Sequence, residues 1–464
     1  MDWSVIAESL PLFGRAFVVT LRLSAISIVL ATVLGLVMAL FREYRVPVLS
    51  QISAAVEELF RNTPLLIQLF FMYYGLPSIG VRLSAELCAV LGMSILGAAY
   101  MSGAFRGGFG GIPHVQTESA RALGLSVPQM IRYVTLPQGL TRSVPAIAAN
   151  AIFIVKETSV FTVIAVPELT NTARDLIGMY YHTNEYLLEL VVAYAIILIP
   201  LSLVLTCWKG ECAVLPSVLP DVLSDVLPDV LSLAGSTGSG ISVLVAGDNL
   251  TRLLGGLWTS ISIAGLALLV GVPLGVVLGA LRIMPNRLVR AVLKVYLECF
   301  RIIPTLVLLF LAYYILPAEF NAQVSGPTVA VVAFGLWVSA ETSDTVRGAL
   351  ASVPDHQIDA GKALGMNGLQ LLWHVRLPQS INLMIPATIN LATRVIKTTS
   401  LLLLISVIDV VTVGQQIMEA NRMTHPDAAF WVYGFIFLLY FIVCWPLAKL
   451  AQSLERRAKE RNNG

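Results

Sequence analysis

The chain has 464 residues, 57% of them hydrophobic and 12% charged, with a formal net charge of +2 and a mean hydropathy of +0.80. A soluble domain is roughly half apolar, so this composition places the chain in a bilayer. Lys and Arg gather in short segments between apolar runs and form no single basic face, which argues against nucleic acid as a partner.

Windows of about 20 apolar residues, enough to cross roughly 30 Å of hydrocarbon as helix, fall near residues 13–41, 54–77, 85–105, 143–167 and 186–208. A second set falls near 254–281, 294–317, 327–346, 384–411 and 428–448. The runs are too continuous for alternating barrel strands, and backbone groups in lipid must be satisfied internally, so the expected fold class is an all-α polytopic membrane protein. No cleavable signal peptide precedes the first run, so 13–41 is expected to act as an uncleaved signal anchor. The five cysteines, Cys88, Cys207, Cys212, Cys299 and Cys444, lack the paired spacing of a metal or redox centre and read as small buried hydrophobes. Positive residues follow the first and third run of each set: Arg42 and Arg45, then Arg106, Arg121, Arg132 and Arg142; later Arg282, Arg287, Arg290 and Lys294, then Arg347, Lys362 and Arg376. A basic tail carries Arg456, Arg457, Lys459 and Arg461. These segments are therefore cytoplasmic, and both sets start outside and end inside.

The two sets are an internal repeat, offset by 240 and then 241 residues. Phe60-Arg61 with Pro64 returns as Phe300-Arg301 with Pro304, and Tyr73-Tyr74 with Pro77 returns as Tyr313-Tyr314 with Pro317. Arg106-Gly107, Ala122-Leu123-Gly124 and Leu136-Pro137-Gln138 return as Arg347-Gly348, Ala363-Leu364-Gly365 and Leu377-Pro378-Gln379. Pro145, Lys156, Thr158 and Ser159 return as Pro386, Lys397, Thr399 and Ser400. Parallel repeats of this kind imply a pseudo-two-fold axis along the membrane normal and a pathway at the repeat interface. The expected domains are 1–209 and 248–464, five spans each, joined by a low-complexity linker, 210–247, with Val-Leu pairs broken by proline and aspartate. Five spans is an odd number, so the linker must cross the membrane; the rival is an even span count in one copy.

The connection after the third run of each half is locally legible. A short helix ends at Gly124, where a left-handed cap is cheap without a Cβ. A second starts at Ser126, with Pro128 in its first turn and Gln129 placed for a capping box. Gly365, Asn367 and Gln370 repeat the pattern. Two short helices at a fixed angle, outside the bilayer, are expected in each half.

These connections, 113–137 and 354–378, resemble the EAA loop of ABC importer permeases: Glu-Ala-Ala, three residues to Gly, then a later Ile and Leu-Pro. Glu118, Ala120 and Gly124 match the acidic, small and glycine positions, as do Asp359, Gly361 and Gly365, with Arg121 and Lys362 on the same helices. Gly361 departs from the alanine of the pattern and is expected to weaken its helix by roughly 0.5 to 1 kcal/mol. The resemblance implies that these residues dock on an ATPase dimer. The segment 58–77, with Phe-Arg-Asn-Thr-Pro-Leu-Leu and Gln68, together with Ala98-Ala99-Tyr100, Arg106-Gly107-Gly108 and Lys156-Glu157-Thr158-Ser159, is similar to the polar amino-acid subfamily of these permeases. The second copy departs from it at Ile302-Ile303, Leu308 and Glu341. Gly103 stands where the family usually has an acid, which Asp344 supplies in the other half. An asymmetric pathway follows.

Polar groups inside apolar runs are expensive, so each is a candidate for the pathway or its gate. They are Glu58, Arg61, Asn62, Thr63, Gln68, Lys156, Thr158 and Ser159, with Glu298, Arg301, Lys397, Thr399 and Ser400 in the second half. Against that, Arg61 and Arg301 can pair with Glu58 and Glu298 or snorkel, the lysines can pack helices or gate, and the hydroxyls and amides can hold helices together. No catalytic or metal site is expected, because no nucleotide-binding Gly-x-x-x-x-Gly-Lys-Ser/Thr loop and no His or Cys cluster occurs. The resemblance implies no cofactor on this chain, with ATP and Mg in two cytoplasmic ATP-binding ABC subunits, and an external amino-acid-binding protein. It places the chain in the bacterial cytoplasmic (inner) membrane. A gradient-driven secondary transporter with parallel repeats is the alternative, and a channel a further one; neither needs two matching cytoplasmic loops.

Overall fold

A computed structural model of the chain describes residues 2–207, 241–283, 286–320 and 324–463. Of the linker expected to cross the membrane, 210–247, residues 210–240 lie outside the described residues, as does Cys212. Among the described residues there is no strand, as expected of an all-α polytopic protein. The chain divides into two compact units, Met1–Leu244 with Ala420–Gly434, and Val245–Glu419 with Phe435–Gly464.

The first unit begins with α1 (Trp3–Glu43), followed by α2 (Leu49–Arg61), α3 (Leu65–Phe70) and α4 (Ala85–Gly110). The connection after α4 holds α5 (His114–Ala122) and α6 (Val127–Met130); α7 (Leu136–Glu157), α8 (Leu169–Tyr180) and α9 (Thr183–Cys207) complete the copy. After α10 (Ser242–Val245), the second copy repeats this order as α11 (Asn249–Leu281), α12 (Arg287–Ile302), α13 (Thr305–Phe320), α14 (Gly326–Ala351), α15 (Asp355–Ala363), α16 (Gly368–Leu371), α17 (Leu377–Thr398), α18 (Val410–Asn421) and α19 (Ala428–Asn463).

Eight helices among the described residues are long and apolar enough to cross a membrane, four in each copy. The second expected run of each copy is not a straight crossing helix. In the second copy α12 and α13 bend by 104° at their junction; in the first, α2 stops at Arg61 and the short apolar stretch Leu65–Ile79 follows. The cause is local. Pro64 and Pro304 disfavour helical geometry at the residue before them, and the charges Glu57, Glu58 and Arg61 sort α2 into polar and apolar faces.

The first two crossing helices of each copy, α1 with α4 and α11 with α14, pack closely through small residues four apart. Ala31, Gly35 and Ala39 on α1 are answered 240 residues later by Gly271, Gly275 and Gly279 on α11. At Gly275 a Cβ would lie 2.5 Å from Thr342 Cβ and 2.7 Å from the Ser339 carbonyl on α14. Lipid gives helices no hydrophobic reason to associate, so this close backbone approach supplies the contact instead. Cys88 and Cys444 are buried as expected; Cys299 is exposed, in line with the exposed Leu288, Val292 and Val295 on the apolar face of amphipathic α12.

Candidate functional site

The connections 113–137 and 354–378 both form the expected cap chemistry. α5 ends at Ala122 and Gly124 takes φ +74°; α15 ends at Ala363 and Gly365 takes φ +80°. The Ser126 backbone N–H donates to Gln129 Oε1 at 2.8 Å, and the Asn367 N–H donates to Gln370 Oε1 at 2.9 Å. The second short helix is not separate, however. α6, a wide π turn over Ile131–Thr135 and α7 run on as one crossing segment, Val127–Ile164, repeated as Gly368–Ile405. Pro137 and Pro378 lie two residues past these π turns, and the wide turn makes room for a ring that would collide with the carbonyl four residues back. Each turn is therefore continuous with a crossing helix.

Glu118, Arg121, Asp359 and Lys362 are exposed, with Lys362 Nζ 3.0 Å from Asp359 Oδ1. At the bend, Leu123 is 81% and Leu364 79% exposed, an apolar tip with no partner of its own. Ala120 is buried. Its counterpart Gly361 is also buried, over a cluster of Val353, Ile358 and Leu371. A Cβ at Gly361 would lie 2.5 Å from Leu371 Cδ2. The first copy pairs Ala120 with Met130 in the same places, so the departure from the Glu-Ala-Ala pattern goes with a change of shape: the branched Leu371 places Cδ2 where a methyl group at 361 would collide with it.

The pathway candidates divide. Asn62, Thr63 and Gln68 are buried and bond to one another's segment: Asn62 Nδ2 donates to the Glu58 carbonyl at 2.6 Å, Thr63 Oγ1 to the Leu59 carbonyl at 3.0 Å, and Gln68 Nε2 to Thr63 Oγ1 at 3.0 Å. They stitch the break between α2 and α3, where the second copy has Ile302, Ile303 and Leu308. Thr158 and Ser159 donate to the carbonyls of Val155 and Lys156, and Thr399 and Ser400 to those of Ile396 and Lys397. Each pair caps the passage of α7 or α17 into a 3₁₀ segment, one turn from the half-buried Lys156 or Lys397. Glu58 and Glu298 are half-buried.

The Arg61 guanidinium lies 5.2 Å from the centre of the Tyr100 ring, while Arg301 is 3.9 Å from Asp344. In the first copy Tyr100 meets Phe153 edge to face at 5.1 Å. The equivalent pair is Glu341 and Arg394, bridged at 2.7 Å, with Arg394 also 5.3 Å from the centre of the Trp337 ring. Glu341 and Arg394, with Arg301, Asp344 and Thr345, line a cleft of about 430 Å³ in the second unit. An aromatic contact has thus become a charged wall, the asymmetry expected from Tyr100 and Glu341.

Sequence reasoning missed two groups. Glu57, 3% exposed, accepts from Arg42 and Ser102 and has Arg106 Nη1 at 3.6 Å. Glu168 and Asp409, 241 residues apart and fully buried, cap α8 and α18. Glu168 accepts from the N–H groups of Thr170 and Asn171 at 2.8 and 2.7 Å, and Asp409 from that of Thr412 at 2.9 Å. Three residues before each cap, Ala165 and Ser406 hold φ +55° and +57°, so the strained turn recurs as well. The recurrence of an acid at one offset was the available signal for the second group.

Comparison with known proteins agrees with this geometry. Residues 31–210 and 271–459 both match the family described as binding-protein-dependent transport system inner membrane component, well over half of the chain. The chain is similar to the probable glutamine ABC transporter permease protein GlnP of Bacillus subtilis, 39% identical over 171 residues, covering 37% of this chain and 78% of that one. It is 32% identical to the glutamine transport system permease protein GlnP of Escherichia coli over 206 residues, 44% of this chain and 94% of that one. The L-cystine transport system permease protein TcyL of B. subtilis is 31% identical over 200 residues, 42% and 84% of the two chains. A solved amino acid ABC transporter, crystallised with histidines, is 27% identical over 45% of this chain and 98% of its own, with a TM-score of 0.43.

Proposed function

The chain belongs to the binding-protein-dependent transport system inner membrane components, and from that premise we propose that it forms the pathway for ATP-driven import of polar amino acids, coupled through two cytoplasmic loops to a separate ATPase dimer. It is a multi-pass amino-acid ABC permease with two permease copies in one chain. The coupling reading rests above all on the two docking turns. Each presents an exposed leucine beside a left-handed glycine and leads without a break into a crossing helix. That is the arrangement needed to turn closure of a partner into movement of a span.

The remainder of the reading follows from the family. Two ATPase subunits hold ATP and Mg, an external binding protein delivers substrate, and this chain hydrolyses nothing and carries no cofactor. The assembly sits in the bacterial inner membrane. The mixed charges around the cleft, Arg301, Glu341, Asp344 and Arg394, suit a solute that carries both an ammonium and a carboxylate.

The test is to tag the C-terminus, extract gently from native membranes and identify co-purifying chains by mass spectrometry. A stoichiometric nucleotide-binding partner, lost when the loops at Glu118 and Asp359 are altered, supports the reading. Uptake driven by an ion gradient without ATP or such a partner overturns it in favour of a secondary transporter.

A further inference from the structure

Three helices meet at the cytoplasmic base of each copy, and at each base one carboxylate lies between two arginines. In the first copy the arginines are Arg42, at the end of α1, and Arg106, in the last turns of α4. Their carboxylate is Glu57 of α2, whose side chain is 4% exposed. Both arginines are kept in the second copy as Arg282 and Arg347, 240 and 241 residues on. The counterpart of Glu57 is Leu297, which is 2% exposed and fills the same slot in α12 without charge. The anion comes instead from Asp344 of α14, 3.3 Å from Arg282, 3.3 Å from Arg347 and 3.9 Å from Arg301. The counterpart of Asp344 is Gly103, where an added Cβ would meet only Arg61 Nη1, at 3.4 Å. Arginines, anion and location are retained, and only the helix that supplies the anion has changed.

We propose that Glu57 and Asp344 are one positioning carboxylate, transposed between neighbouring helices, which holds together the cytoplasmic ends of the first two crossing helices, α1 with α4 and α11 with α14, and so sets where the docking helix is delivered. Arg106 and Arg347 stand four residues before the ends of α4 and α14, and the docking helices α5 and α15 begin four residues after those ends. A change at the lock is therefore passed on within two helical turns. The two locks differ in access. Glu57 is shut away, whereas Asp344 is 36% exposed and lines the cleft. A buried anion between arginines has no water to replace a lost partner, while an exposed one does. The Glu57 lock is thus the more sensitive of the two, and the Asp344 lock the more responsive to salt.

The transposition predicts a rescue that ordinary packing does not. In proteoliposomes holding the full chain and its ATPase partners, Glu57→Gln lowers ATP-driven uptake by about tenfold and raises the ATP spent per substrate. Adding Gly103→Asp to that variant restores both. The mirrored pair, Asp344→Asn rescued by Leu297→Glu, behaves likewise with a smaller initial loss. The transport readout rests on the coupling reading above; the melting temperature of the purified chain, which falls with Glu57→Gln and recovers with Gly103→Asp, does not. A parent chain without ATP-dependent uptake would therefore sink the coupling reading and leave the melting comparison to decide the transposition. Uptake and melting unchanged in Glu57→Gln, or no recovery in the double variant, overturns the proposal. Should Glu57→Gln fail to assemble, Glu57→Leu with Gly103→Asp copies the second base into the first. Assembly and uptake by that double variant, and not by Glu57→Leu alone, support the transposition, and failure of both variants refutes it.

Discussion

Replacing Gly365 with valine separates backbone conformation from packing at one of the two turns proposed to dock the ATPase. Gly365 holds φ +80°, and a Cβ built there meets nothing within 4 Å, so the whole cost is conformational. Left-handed geometry costs an ordinary residue about 1 to 2 kcal/mol, with β-branched side chains at the upper end. That shifts the balance between formed and unformed turn by about 5- to 30-fold. The crossing helices are untouched, so the melting temperature of the purified chain stays within about 3 °C of the parent while ATP-driven uptake falls by about the same 5- to 30-fold. Uptake in proteoliposomes, with ATPase binding measured on the same preparations, reads the effect. The control lies three residues away: Gly368 also has nothing within 4 Å and no positive φ, and the first copy carries Val127 at its place. Gly368→Val is expected to transport like the parent. Full coupled uptake by Gly365→Val, or equal loss in Gly368→Val, would refute the argument from backbone geometry.

Three further outcomes follow from contacts in the fold. Gly361→Ala drives a Cβ against Leu371 and is expected to destabilise the turn after α15 by about 1 to 3 kcal/mol, offset in part by better helix propensity. Adding Leu371→Met, the pairing of the first copy, should recover ATPase binding; no recovery would separate the two exchanges. Gly275→Val sets a side chain against Ser339 and Thr342 and should abolish the monodisperse chain in detergent, whereas Gly265→Val, with open space around it, should leave the elution profile unchanged. Glu168→Ala removes the acceptor of two buried N–H groups, a loss of about 0.5 to 2 kcal/mol at a helix start. Hydrogen exchange at Thr170 and Asn171 should accelerate, and unchanged protection there would show that the cap is dispensable.

The parts legible in the sequence were those with a strong one-dimensional signature. Apolar length located the eight crossing helices, the shared offset paired the copies, and Gly124, Ser126 and Gln129 announced a turn that forms as expected. The bend between α12 and α13 was hidden because hydropathy averages over the break and sees one apolar window where there are two directions. The continuity of α6 with α7 was hidden for the opposite reason. Leu-Pro reads as a helix boundary, and a π turn absorbs the proline so that the helix continues.

The exchanges between copies were harder to see, because each spreads one physical requirement over two positions that are distant in sequence. Read singly, Gly361 is a weakened helix, Leu297 a lost acid and Gly103 a gap. In three dimensions Gly361 is made good by Leu371, and Leu297 and Gly103 are the two ends of one transfer whose charge arrives at Asp344. The same holds for Tyr100 and Phe153, replaced together by Glu341 and Arg394. That last exchange differs in kind. Moving the lock carboxylate or swapping alanine for glycine preserves a function within each copy, since the arginines stay in place and Leu371 Cδ2 occupies the space beside Gly361. Replacing an aromatic contact with an ion pair preserves the contact between α14 and α17 but changes what faces the cleft. Selection for folding alone is satisfied by either pair, so the charged pair is the place where the second copy acquires a chemistry that the first lacks.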